Sequence, residues 1–220
     1  MPDLLHMAKN WSVLELFGLS TASSIVAWRD IIAGQRCPFV GRKCYKVRKS
    51  QPEISIGTCS VEYGPEHAPA IICPLRLLER QQVFTDCLHL LTSHEPGNQL
   101  HVVNEISVPG GSVDYFLASA RSGKVRDFVG IELQTLDTTG TVWPERQRFL
   151  KSKRLRVDPA DAASAKTFDM NSKMTAKTIL VQLHHKIQTF EHINKRFQSR
   201  VERYRSADRI EDRERFTFDV

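Results

Sequence analysis

The apolar positions of this chain repeat with two periods. Near its middle two runs alternate, Val113 to Ala118 and Val125 to Leu136, around the turn signal Ser122-Gly123-Lys124. Alternation places Val113, Tyr115 and Leu117 on one face of the first strand, and Val129, Ile131 and Leu133 on one face of the second. Burying those faces together leaves Asp114, Glu132 and Gln134 on the other side. Asp114 stands opposite Glu132 only if the loop has an odd number of residues or the hairpin carries a bulge. A three-residue loop with Gly123 left-handed meets that condition. Leu100 to Val108 leads in as a helix end or strand, and Pro109-Gly110-Gly111 turns the chain sharply before Asp114.

The second period is helical. From Thr175 to about Arg205, Ile179, Leu183, Ile187, Phe190, Ile193, Phe197, Val201 and Tyr204 recur at steps of three and four. Pro74 to Thr92 predicts another helix, with Pro74 at its first position and Leu75, Leu78, Val83, Phe84, Cys87, Leu88 and Leu91 on its apolar face. Asp3 to Ala33 reads as two short helices broken at Gly18-Leu19-Ser20. Ser93 to Asn98 is a loop, and Asp158 to Thr167 is a small-residue connector.

The acids of the central hairpin bring in chemistry. Two carboxylates on neighbouring strands repel unless a cation lies between them. Hard oxygen ligands suit Mg2+, and Mg2+ suits phosphate chemistry. Asp114 and Glu132 are therefore the candidate metal ligands, and Gln134 is a neutral group able to orient water.

The segment Gly34 to Pro74 has a different character. It holds Cys37, Cys44, Cys59 and Cys73, with gaps of 6, 14 and 13 residues, among turn formers and few large apolar residues. The spacing is not that of a zinc knuckle, but so little apolar material calls for a staple. Four thiolates around one tetrahedral metal would supply it, and ordinary buried thiols are the alternative. His67 ranks below the four cysteines as a ligand, and Cys87 reads as a core residue. The expected organisation is thus residues 1–74, with the cysteine region, and residues 75–220.

Composition narrows the function. The 220 residues carry a net charge of +6, which favours a polyanionic partner. Six cations occupy the eleven positions from Arg146 to Arg156. This basic strand or loop is expected to track a DNA backbone through Arg146, Arg148, Lys151, Lys153 and Arg154, unless it is simply solvated. A second basic group lies at Arg36, Arg42, Lys43, Lys46, Arg48 and Lys49. No apolar run is long enough to span a membrane. The start, Met-Pro-Asp-Leu-Leu-His, shows no secretion signal, and five cysteines without one point to a reducing compartment such as the cytoplasm.

The hairpin resembles the Asp…Glu-x-Lys core of the PD-(D/E)xK nucleases, with Gln134 in place of the usual lysine. Acid-x-Gln is the variant of one branch, and the chain resembles that branch: the NotI-like type II restriction endonucleases. The resemblance covers Cys37 to Pro74, Pro109 to Asp114, Asp127 to Gly140 and Asn171 to Glu191. It implies an α/β (α+β) fold with a central mixed β-sheet flanked by helices. It places Asp114, Glu132 and Gln134 in the catalytic positions, with Glu105 as an upstream acid assisting the metal. It also implies a structural iron at the four cysteines, although zinc suits the same thiols, and brings Lys173 and Lys177 toward DNA.

The expected function is Mg2+-dependent hydrolysis of double-stranded DNA by a homodimer at a GC-rich palindrome, alongside a cognate DNA methyltransferase. The rivals are a non-catalytic, metal-stapled DNA binder and a repair or mobile-element nuclease of loose specificity.

Overall fold

The computed structural model describes residues 12–108, 111–171, 173, 175–177, 179–181, 184–188, 190–191 and 216–217. They belong to two compact units, Met1–Arg80 with Thr135–Thr175, and Gln81–Gln134 with Ala176–Val220. The expected division at residue 74 thus becomes one near residue 80, and the chain returns to its first unit after Gln134.

In the first unit, β1 (Val13–Leu16), β2 (Leu19–Ser20), β5 (Thr58–Tyr63) and β6 (Ala68–Ile71) form a sheet of order β2-β1-β5-β6. The strand pair β1–β2 replaces the first of the two expected short helices, as far as the described residues reach. Phe17 and Gly18 have φ of 48° and 72°, which closes a tight hairpin and excludes a continuous helix. Pairing of Val13 with Val61 then buries β1 against β5. The second expected helix is present as α1 (Trp28–Gly34). A small hairpin of β3 (Val47–Arg48) and β4 (Gln51–Ser55) follows it in the chain.

The later part of this unit pairs β10 (Thr138–Gly140) with β11 (Phe168–Met170), and between them lie two helices. Residues expected as a basic strand or loop form α3 (Trp143–Ser152), with Pro144 in its first turn. The connector folds into α4 (Pro159–Ala163), where the Asp158 side chain accepts the Ala160 N–H at 2.8 Å. Leu150 of α3 is buried in one cluster with Val13, Leu16, Phe17, Trp28, Cys37 and Cys44, and Phe149 meets Trp28 edge-on with ring centroids 5.0 Å apart. The segment that looked too poor in apolar residues to build a core therefore borrows one from a helix about a hundred residues away.

The second unit is built on β7 (Gln99–Val108), β8 (Gly111–Arg121), β9 (Lys124–Ile131) and β12 (Phe216–Thr217), in the order β12-β7-β8-β9. Every described pairing is antiparallel, in place of the expected mixed sheet. The fold class is thus mixed α/β with several antiparallel sheets. The helix expected over Pro74–Thr92 is broken: Arg80 and Gln81 are left-handed at φ of 53° and 56°, at the boundary of the two units. Beyond the break, α2 (Gln82–Asp86) sets Phe84 against Tyr115, centroids 5.4 Å apart. Phe190, from the long C-terminal helix, meets Phe116 at 5.8 Å on the other side of β8. That helix is present at 184–188 and 190–191; the rest of it beyond residue 191 lies outside the described residues.

Replacing Leu150 by Ala should cost roughly 2–5 kcal/mol in urea unfolding, because it empties a core shared by distant segments. The exposed neighbour Lys151→Ala should cost less than about 0.5 kcal/mol. Equal small losses would show that α3 does not complete this core.

Candidate active site

The position of Asp114 follows from the turn of the β8–β9 hairpin. Ser122 and Gly123, at φ of 52° and 74°, form a two-residue loop between the paired Arg121 and Lys124. A loop of two would by itself set Asp114 against Ile131. One extra residue in β9, between the pairs Ala120↔Val125 and Ser119↔Asp127, shifts the register by one. Tyr115 then pairs with Ile131, the last residue of β9, and the same register carried one step further would face Asp114 with Glu132. The condition stated from the sequence is met by the bulge rather than by a three-residue loop.

Simple alternation does not hold through Asp114. A Cβ built on Gly130 would lie 3.1 Å from Phe190 Cζ and 3.5 Å from Val113 Cγ1, and one on Gly111 would lie 3.6 Å from Lys186 Cε. Gly111 and Val113 thus turn toward the C-terminal helix, whereas Tyr115 meets α2. Opposite Asp114 in the β7–β8 register stands Glu105, exposed and left-handed at φ 51°, where the ladder is interrupted. At this irregularity the Asp114 side chain reaches across to β9, and its Oδ2 accepts the N–H of the Glu132–Leu133 peptide at 2.8 Å. The hydrogen bond ties the Asp114 side chain to the peptide that follows Glu132.

Glu132 has its own partner. Its Oε1 lies 2.6 Å from Lys186 Nζ, with the two side chains 29% and 10% exposed. Lys186 and Phe190 are one helical turn apart, so Phe190 on Phe116 and Gly130 sets where the ammonium falls. Lys186 lies outside the apolar stripe read from the sequence; a cation four residues before the half-buried Phe190 is the signal the sequence carries. Gln134 is exposed two residues beyond Glu132.

Mg2+ takes one or two protein carboxylates and fills its remaining positions with water and phosphate, and Asp114 and Glu132 are donors of that kind. Among the described residues no group of three or more His, Cys, Asp or Glu is placed to hold a metal, so Glu105 does not join the pair.

The four cysteines are buried in the first unit. A hydrogen bond between the Cys59 and Cys73 thiols pushes Cys73 down to about 6, helped by the charge of Lys46, and pushes Cys59 up. Burial raises Cys44, and the nearby Cys37 and Cys73 add to it. The thiols converge and have the chemistry of a soft-metal site, but no three are arranged as a ligand set. Cys37 and Cys44 also belong to the buried core cluster of this unit. His67 pairs with Glu62 at 3.6 Å.

Two of the expected DNA contacts are also corrected. Arg146 is 2% exposed; it donates to the Ile56 carbonyl at 2.7 Å and lies 4.7 Å from the Trp143 ring centroid. Burial pushes its pKa down to about 10, still charged at neutral pH. Arg148 is held by Glu145 and by the Ala162 and Ser164 carbonyls. Both are spent on their own unit because α3 packs inward where a loop was expected. Lys151, Lys153, Arg154, Lys173 and Lys177 are exposed.

One further pair looks like a nucleophile and base: His94 Nδ1 lies 2.8 Å from Ser119 Oγ. Ser119 is fully buried, Asn98 also donates to it, and Asp127 accepts from the Ser93 backbone rather than from His94. The group pins the loop before β7 onto the sheet.

Comparison with family models, curated proteins and solved structures finds no match to this chain.

Glu105→Gly should raise stability by about 1 kcal/mol in thermal unfolding, since glycine adopts φ 51° without strain. A loss of stability would mean that the Glu105 side chain, not its backbone, holds this turn. In the first unit, one thiolate should appear in the ultraviolet with a midpoint of about 6. Cys73→Ser should remove it, and Cys59→Ala should move the midpoint back toward the ordinary thiol value. No thiolate below pH 8 would overturn the pairing of the two.

Proposed function

We propose that the chain hydrolyses phosphodiester bonds of double-stranded DNA, with Mg2+ held by Asp114 and Glu132. The observation that carries this reading is the capture of the Asp114 carboxylate by the peptide next to Glu132. A protein that only binds DNA gains nothing by fixing two acids together, because each repels phosphate unless a cation intervenes. When bound, Mg2+ would neutralise charge on the scissile phosphate and make a water more acidic. Asp114 contributes its Oδ1 and Glu132 its Oε2, oxygens without a hydrogen bond among the described residues. Gln134 orients water by hydrogen bonding and holds no proton to give away at neutral pH.

The acid-x-Gln pattern, the antiparallel run β7-β8-β9 and the helical residues on both sides of β8 all support a PD-(D/E)xK nuclease of the NotI-like type. On that reading the substrate is a defined, GC-rich palindrome, cut by a homodimer whose two-fold axis matches that of the duplex. The net charge of +6 favours phosphate contact, and Lys151, Lys153, Arg154, Lys173 and Lys177 are exposed cations for it. Iron or zinc at the cysteines belongs to the same family reading, and no step of the proposed chemistry passes through it. Among the described residues no helix is long and apolar enough to cross a membrane.

Supercoiled plasmid incubated with Mg2+ should yield discrete fragments, and none with EDTA. Asp114→Asn and Glu132→Ala should each lower the rate at least about a hundredfold while DNA still shifts in a gel. A gel shift without nicking would favour the non-catalytic binder. A smear in place of bands would favour a nuclease of loose specificity.

A further inference from the structure

The Asp…Glu-x-Gln pattern puts the neutral Gln134 two residues after Glu132, yet the fold brings a cation to Glu132. The geometry points to Lys186 as the cationic catalytic residue of the site, supplied by the C-terminal helix more than fifty positions after Glu132. The inference rests on the hydrolytic reading above.

Three observations converge on Lys186. It is 8% exposed, although lysine is almost never buried unless paired. Its ammonium lies 2.6 Å from Oε1 of Glu132, and no hydrogen bond to Oε2 is made among the described residues. Its stem lies over Gly111, where a side chain would sit 3.6 Å from Cε, and Phe190 one turn later is set on Gly130 and Phe116. The small residues on β8 and β9 thus admit this helix, and the helix delivers a charge to the acidic corner. A solvated surface lysine needs none of this.

During hydrolysis the water oxygen bonds to phosphorus, and the P–O bond to the leaving sugar oxygen breaks with its electron pair. One water proton passes to solvent, and the leaving oxygen takes one from solvent. Lys186 stays protonated throughout. Its ammonium faces the negative charge that builds on the phosphate oxygens, a role that the neutral Gln134 does not fill.

The test is Lys186→Gln, which keeps a hydrogen-bond donor for Glu132 and removes the charge. Single-turnover cleavage of plasmid with Mg2+ should fall on the order of 10²–10³-fold. DNA affinity measured in Ca2+ and the melting temperature should stay near wild type. Lys186→Arg should recover part of the rate, and methylammonium ion should partly rescue Lys186→Ala, an effect that a purely structural lysine would not produce. Wild-type cleavage with K186Q at the same rate overturns the role of Lys186 alone. An inactive wild type overturns the hydrolytic reading, and this inference with it. If K186Q does not fold, Lys186→Met, which keeps the apolar stem over Gly111, takes its place. Unfolding of both would assign Lys186 to stability and overturn its catalytic role.

Discussion

One hydrogen bond sets the chemistry available to the second unit: the Glu132–Leu133 N–H donated to Asp114. Without it, two like charges on adjacent strands would turn apart, since nothing in the pleat makes carboxylates approach. The bond uses one oxygen of Asp114 and turns the side chain toward β9. The bulge in β9 makes it possible, because a register one residue away would set Ile131 there instead of Glu132. A single inserted residue thus separates an ordinary amphipathic hairpin from a pair of acids able to share an ion.

The same corner shows how a sheet with residues packed on both sides is made to hold charge. Phe84 and Tyr115 pack on one side of β8, and Phe116 and Phe190 on the other. Where the pleat is interrupted, opposite the left-handed Glu105, backbone and side chains leave regular pairing and polar groups take over. Left-handed backbone in a residue other than glycine costs on the order of 1 kcal/mol, a strain that tends to gather at functional sites. The Lys186–Glu132 ion pair is partly shielded from water, where such pairs add little net stability but fix one geometry over others.

The first unit spends its charges differently. Arg48 and Arg146 both lie over the Trp143 ring, at 4.6 Å and 4.7 Å from its centroid, and Asp161 accepts from Arg48 and from the Trp143 indole. Lys46 gives its ammonium to the Ile72 carbonyl, and its charge favours the Cys73 thiolate. A run of cations that looks like a surface for phosphate is thus partly internal wiring, and the exposed remainder is a narrower set.

How much of this was legible depended on the range of each interaction. Alternation in the two runs and the turn at Gly123 are local, so the hairpin could be read from the residues alone, although β9 ends at Ile131 and not at Leu136. The helical character of 175–191 was equally local, wherever those residues are described. The strand at Val13–Leu16 and the burial of Arg146 were not legible, because each depends on a partner far along the chain: Val61 of β5 and the Ile56 carbonyl. The cysteine region looked starved of apolar residues because its core lies partly in Leu150. Sequence alone determined the hairpin that carries Asp114 and leads to Glu132; only the tertiary structure decided that Lys186 meets Glu132, since a helix face finds its partner by packing and not by spacing.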